Sequence, residues 1–344
     1  TYSGYDLEIA NATAGCAVYN KGFMYLTDFA TNNVKDGMVC RYDGWTLLSG
    51  NCTLTNSTRN PFLTYGVESN NYVNGVQLNE GATVVVDGGA SHGINNRGYF
   101  VAAADSDLTI KNIKGTNVNA ITNNGGNMEL GNVTIDNVLV NITMYNTTNI
   151  NTNSGNGIMV SGPLKIHGNV VMSNIYHAPA NSKTDNTNGA GVVVKGNGSV
   201  SGAGNITING TSNKTIDGVA YTGTYNGILV NKCAVNMTGN IKVDTAKNQA
   251  IYLADANSTL KAKDVSVSNV TSGHGVYINN TAGSMDITGT FTAANITSGR
   301  GLYNVGTAKI GSNANISNTG NNAIESSGAV TVGGDVVIDT TASG

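Results

Sequence analysis

Charge is scarce in this chain. Of its 344 residues, 11% are Asp, Glu, Lys or Arg, less than half the roughly 25% usual for a soluble domain, which disfavours an ordinary helical or α/β enzyme. The net charge is −3 and Lys and Arg do not cluster, so the footprint of a phosphate-binding surface is missing and no nucleic-acid partner is expected. No run of 18 apolar residues occurs, so no transmembrane helix is expected. The opening "TYSGYDLEIANATAG" lacks the charged start and apolar middle of a signal peptide; an exported form would carry its leader outside this sequence.

Chemistry is equally sparse. A β-rich enzyme that cuts acidic polysaccharide needs clustered carboxylates on one strand face, and Glu129, Asp286 and Glu325 are far apart in the chain. His92, His167, His177 and His274 are scattered, and the calcium repeat G-G-x-G-x-D is missing. No catalytic residue, metal or cofactor is therefore expected. The four cysteines have no C-x-x-C spacing. Two readings stand for Cys16, Cys40 and Cys52: one bridge stapling the N-terminal end, or small buried thiols filling core positions. Sequons such as Asn141-Ile-Thr, Asn213-Lys-Thr and Asn257-Ser-Thr follow from a composition rich in Asn and Thr, and license glycosylation only if the source glycosylates.

What the chain has is rhythm. It contains 45 Gly, and its apolar residues fall on alternation in short runs closed by Gly or Asn, as in "GVYINNTAGSMDITGTFTAANITSG" (275–299). A small residue opens each repeat: Ala17, Gly37, Gly75, Gly98, Ala120, Gly157, Gly191, Gly227, Ala250, Gly275, Gly301 and Ala323. Within a repeat a second strand follows (Leu164 and Ile166; Val235 and Met237; Met285 and Ile287; Val330 and Val332) and then a third (Val133 and Ile135; Val170 and Met172; Ile241 and Val243; Val265 and Val267). A strand-built period of this length means a solenoid or a propeller. The shortest repeats cannot supply a four-stranded blade, and no six-residue apolar period is sustained. The expected fold is all-β, a right-handed parallel β-helix of about twelve three-strand coils, on the order of 60 Å long at about 4.8 Å per coil. Residues 1–74 are expected to form Cys-containing coils and a capping region, and 75–344 the regular helix.

Asn56, Asn137, Asn174, Asn269, Asn295 and Asn318 recur after the third strand and are expected to form a structural amide ladder. Longer repeats leave insertions at 138–154, 175–188 and 210–225, all at one corner, and a separate one at 57–74. The first three carry Tyr145, Tyr176, His177, Tyr221 and Tyr225, which either recognise a ligand or pack on the flank. The outward row of the first strand reads Tyr19, Val39, Gln77, Phe100, Thr122, Met159, Val193, Leu229, Tyr252, Tyr277, Tyr303 and Glu325, an apolar stripe that marks a contact surface. Tyr252, Tyr277 and Tyr303 would stack beyond the insertions, to hold a sugar chain, to meet another protein, or simply to stabilise the sheet.

The stretches "GNVTIDN", "GNITING", "GSMDITGTFTAAN" and "GAVTVGGDVVID" between Gly75 and Gly344 give the chain a texture that resembles the passenger regions of bacterial autotransporters and related secreted β-helix surface proteins. The resemblance implies an extracellular or cell-surface location and a noncatalytic structural or adhesive role. Partners would be further copies of the chain, or a glycan or protein on a host or neighbouring cell. The final "GGDVVIDTTASG" reads as a full coil with no cap, which suggests head-to-tail association into filaments. The alternative function is a carbohydrate-binding or carbohydrate-cleaving β-helix, tailspike-like or lyase-like.

Overall fold

A computed structural model describes residues 2–5, 7–65, 74–140, 154–176, 189–216 and 219–341. Three long parallel sheets run its length, with 12, 13 and 13 strands, and no helix occurs among the described residues. The chain visits them in strict rotation, which makes a right-handed parallel β-helix. Sheet one gathers the first strands of the repeats, from Cys16–Asn20 to Ile324–Ser326. Sheet two runs from Tyr2–Tyr5 to Ala329–Val332, and sheet three from Glu8–Ala10 to Val336–Thr341. Among the described residues no helix is long and apolar enough to cross a membrane.

The small residue that opens each coil has a steric cause. A Cβ on Gly157, Gly227, Gly275 or Gly301 would lie 2.4–2.8 Å from the carbonyl oxygen of the residue stacked on it, and would also meet a sheet-three side chain: Met172, Val243, Val267 or Ile316. The corner is narrow because the inward side chains of sheet three fill it. One continuous core results, with fully buried Phe62, Phe100 and Phe291 among its largest members.

Two of the expected coil openings are wrong. Gly75 and Gly98 belong to sheet two or its approach, and the sheet-one strands in those coils are Phe62–Thr64 and His92–Asn96. The outward row therefore carries Leu63 and Asn95 in place of Gln77 and Phe100; Gln77 faces out from sheet two and Phe100 lies in the core. The supposed 57–74 insertion contains a sheet-one strand, so its extra residues lie between sheets one and two. The sheets pass through residue 74 without a break, since Trp45–Ser49 pairs directly with Gly75–Leu78.

The three insertions do share the corner between sheets three and one, in consecutive coils. The first two begin later than expected, because the sheet-three strands extend over Asn132–Val140 and Asn169–Tyr176. The third carries an antiparallel hairpin, Lys214–Ile216 with Val219–Tyr221. No disulfide forms among the described residues. Cys40 and Cys52 are buried, with Cys40 Sγ 3.4 Å from Thr46 Oγ1 and Cys52 Sγ directed at Ser49 O; Cys16 is half-buried. Burial pushes all three thiols up, Cys40 to about 12; Cys40 and Cys52 occupy core positions and Cys16 does not.

Candidate functional site

The asparagine ladder is longer than expected and does not sit in a turn. Strand pairing aligns Asn11, Asn33, Asn56, Gly88, Asn112, Asn137, Asn174, Gly210, Thr245, Asn269, Asn295, Asn318 and Thr340. Each of these Asn and Thr residues has φ between 50° and 67°. They form a left-handed bend inside the strand, which Asn tolerates better than other residues with a Cβ. The amides bond along the axis: Asn33 Nδ2 to Asn11 Oδ1 (2.9 Å), Asn137 to Asn112 (2.8 Å), Asn295 to Asn269 (3.1 Å) and Asn318 to Asn295 (3.0 Å). Where Gly88 and Thr245 interrupt, an Asp one residue earlier accepts instead. Asn112 donates to Asp87 (2.7 Å) and Asn269 to Asp244 (2.6 Å); Asn174 likewise donates to Asp136 (2.7 Å).

A second polar column stands just before the coil openings of sheet one: Asp36, Asn60, His92, Asn119, Asn156, Ala190, Asn226, Gln249, His274 and Arg300. In it a side-chain acceptor caps the backbone N–H of the coil above: Asn119 caps Asn156 (3.0 Å), Asn226 caps Gln249 (3.1 Å), and His274 Nδ1 caps Arg300 (3.1 Å). That last bond fixes His274 as the neutral tautomer protonated on Nε2. Burial, then the Arg300 charge, pull its pKa down to about 4, against a smaller upward pull from Glu325. His92, in the same column, is pulled down to about 4 by burial and then by Arg97. Near the other end, buried Asp36 accepts a bidentate pair from Arg59, with Nε at 2.8 Å.

The tyrosines divide into three groups. Tyr252, Tyr277 and Tyr303 do form a column on the outer face of sheet one, with ring centroids 5.3 and 4.8 Å apart and planes within 16° and 13°. Their faces are already occupied. Arg300 lies 4.5 Å over Tyr303, His274 meets Tyr277 and Tyr303 edge-on, and Tyr252 packs on Val193 and Leu229. Asn279 donates to the Tyr252 hydroxyl (3.1 Å) and accepts from that of Tyr277. A sugar therefore finds no open ring face within the column. Tyr176 and Tyr221 are buried against Leu139 in a satellite cluster under the hairpin, and Tyr225 is half-buried beside the chain at Gly189, its N–H bonded to Gly189 O (2.8 Å). Tyr145 and His177 lie outside the described residues. Next to the hairpin, a groove of about 430 Å³ is lined by Asn137, Asn174, Leu139, Tyr176, Lys214 and Ile216.

The outward row of sheet one is an apolar stripe that is shielded at several points along its length: Val39, Leu63, Thr122, Val193 and Leu229 are all buried although they point away from the core. The outward row of sheet two carries Glu129, Lys165, Asn236, Lys261, Asp286 and Lys309, as expected. Sequence reading did not bring Glu129 to His167, yet the two meet at 2.6 Å across neighbouring coils, with Lys165 at 3.9 Å.

Sequence reading also missed the densest aromatic surface. On sheet two of the first coils, Phe23, Trp45, Gly75 and Tyr99 form one outward column and Tyr25, Leu47, Gln77 and Val101 the next. Phe23 and Tyr25 are 41% and 42% exposed and meet edge to face at 4.9 Å. A Cβ on Gly75 would lie 2.9 Å from Trp45 Cζ3, so the indole leans over the bare glycine to reach Tyr99, 6.0 Å away between centroids. Comparison with models of known protein families, with curated proteins and with solved structures gave no match.

Proposed function

We propose that this chain is a noncatalytic extracellular β-helix that serves as a structural or adhesive component of a surface. The observation that carries the reading is the construction of the rod. Three parallel sheets run from Tyr2 to Thr341, and on the flanks like side chains join like from coil to coil, Asn to Asn and Tyr on Tyr. Such an array supplies length and stiffness from local contacts and leaves its outward positions free to vary. Some of its outward acids pair with neighbouring cations, as in Asp87 with Lys111, Asp255 with Lys232 and Glu325 with Arg300, an arrangement that suits a scaffold.

Association of one stack on the next belongs to the same proposal. Both edges of a parallel sheet offer the same alternating donors and acceptors, so each coil is a template for another. Negative-stain electron microscopy of the purified chain over a range of concentrations tests it. Rods that join end to end as concentration rises are expected; isolated rods at every concentration would remove the filament part and leave adhesion. The carbohydrate-cleaving alternative is tested at Glu129, the acid paired with His167. Polymer cleavage that disappears in Glu129→Gln would replace the noncatalytic reading.

A further inference from the structure

We propose that the outer face of sheet two in the first four coils is a carbohydrate platform that takes a neutral polysaccharide, with Trp45 and Tyr99 as its stacking surfaces. This gives the adhesive reading a partner and rests on it.

Three observations point there. Apart from Gly75 and Gln77, both outward columns of this face are apolar or aromatic over these coils (Phe23, Trp45 and Tyr99; Tyr25, Leu47 and Val101), whereas the same columns farther on include Glu129, Lys165 and Ser199. An aromatic patch on an otherwise polar sheet marks a contact surface. The second observation is the setting of Trp45. Its half-buried indole leans over Gly75, which has no side chain of its own, and lies beside the half-buried Tyr99 ring, whereas the rings of the Tyr252 column cover one another. The electron-rich face of an aromatic ring attracts the polarised C–H groups on the flat side of a pyranose.

The third is the chemistry beside the platform. A groove of about 460 Å³ opens along Gln77, Asn79, Glu80 and Val101. Gln77 Nε2 donates to Asn79 Oδ1 (3.0 Å), and Asn79 Nδ2 donates to Ser49 Oγ (2.8 Å). This chain of bonds fixes both amides and leaves each with a further N–H for a sugar hydroxyl. Among the described residues, Glu80 is the one charged residue lining the groove, so an acidic polysaccharide would be repelled and a neutral one accepted. Apolar rings with fixed amides at their edge suit a ligand that has both C–H faces and hydroxyl rims.

Trp45 is the only tryptophan in the chain, so its emission reports on the platform directly. The full chain is titrated with soluble oligosaccharides of glucose, mannose, galactose and N-acetylglucosamine, with heparin as the acidic comparison. A saturable change in emission with at least one neutral sugar and none with heparin is expected. On immobilised glycans, Trp45→Ala and Tyr99→Ala should bind at least tenfold more weakly, while Tyr277→Ala binds as the parent does; circular dichroism checks that each variant is folded, and Trp45→Phe should retain part of the binding. Neutral-glycan binding that survives both Trp45→Ala and Tyr99→Ala would overturn the site. So would the absence of any neutral-glycan binding, or an emission change that follows protein concentration alone, the mark of a second copy on this face. A chain that adheres to cells without binding glycans would sink this proposal and leave the adhesive reading intact; a chain that adheres to nothing would sink the adhesive reading.

Discussion

The two ends of this rod use aromatic residues in opposite ways. In the C-terminal coils Tyr252, Tyr277 and Tyr303 stack on one another and are closed off by Arg300 and His274. In the N-terminal coils Phe23, Tyr25, Trp45 and Tyr99 lie on a different sheet, where Gly75 separates Trp45 from Tyr99 and Phe23 and Tyr25 are well exposed. The same building rule, one residue above another at coil spacing, gives a structural column when identical rings follow in register. It gives an open patch when a glycine or a small side chain breaks the sequence of rings. Aromatic content alone does not show where a β-helix binds; register and what lies between the rings decide it.

The core gives the largest expected losses at both ends. Phe62 and Phe100 meet edge to face at 5.9 Å inside the N-terminal coils, so Phe62→Ala should cost about 4 kcal/mol in urea unfolding. Phe291→Ala, in the C-terminal core, should cost about 3 kcal/mol; equal losses would mean that the ring pair adds nothing. The ion pairs come next. Arg59→Ala leaves buried Asp36 without its cation and should cost about 3 kcal/mol. Removing Arg300, whose partner Glu325 is partly exposed, should cost about 1 kcal/mol, and a reversal of that order would refute the burial argument.

The two histidines of the capping column test the ends by pH. Both have folded-state pKa values lowered from 6.5 to about 4, so the neutral form is favoured in the fold. Their contribution is present in full above about pH 6.5 and is lost as pH falls toward 4. The melting temperature should drop over that window. His274→Gln, which keeps an acceptor near the Arg300 N–H, should flatten part of the drop, and an unchanged profile in both His274→Gln and His92→Gln would contradict the assignment. Removing the middle ring with Tyr277→Ala should cost about 2 kcal/mol. The smallest effect is at the ladder: Asn295→Ala should cost about 1 kcal/mol and Asn295→Gly less, since glycine adopts the left-handed bend freely.

Much of this fold was legible in the sequence because its constraints are local. The small opening residue, the alternation of strands two and three, and the Asn at the bend each follow from sterics within one coil or between two. The reading slipped at Gly75 and Gly98 because those glycines are small for other reasons: one lies beneath Trp45, the other against the carbonyls of Tyr65 and Asn74. Once those coils were misplaced, Phe100 was read as outward and the patch on sheet two went unseen. Its signal was present in Phe23-x-Tyr25, Trp45-x-Leu47 and Tyr99-x-Val101, three strands apolar on the face that should be polar. Pairings such as Glu129 with His167, 38 residues apart, needed the register that only the folded chain supplies. The full ladder was hidden for a related reason, since Gly88 and Thr245 break the Asn pattern and Asp87 and Asp244 repair it from the preceding position.

The contrast between the ends is tested most directly by nitrating the native protein with tetranitromethane and mapping the modified tyrosines by mass spectrometry over time. Tyr19 and Tyr25, 46% and 42% exposed, should react first. Tyr252 and Tyr277 should lag well behind, because burial and neighbouring groups raise their pKa values and the reagent needs the phenolate. Modification of Tyr252 and Tyr277 as fast as Tyr25 would contradict a closed column at one end and an open patch at the other.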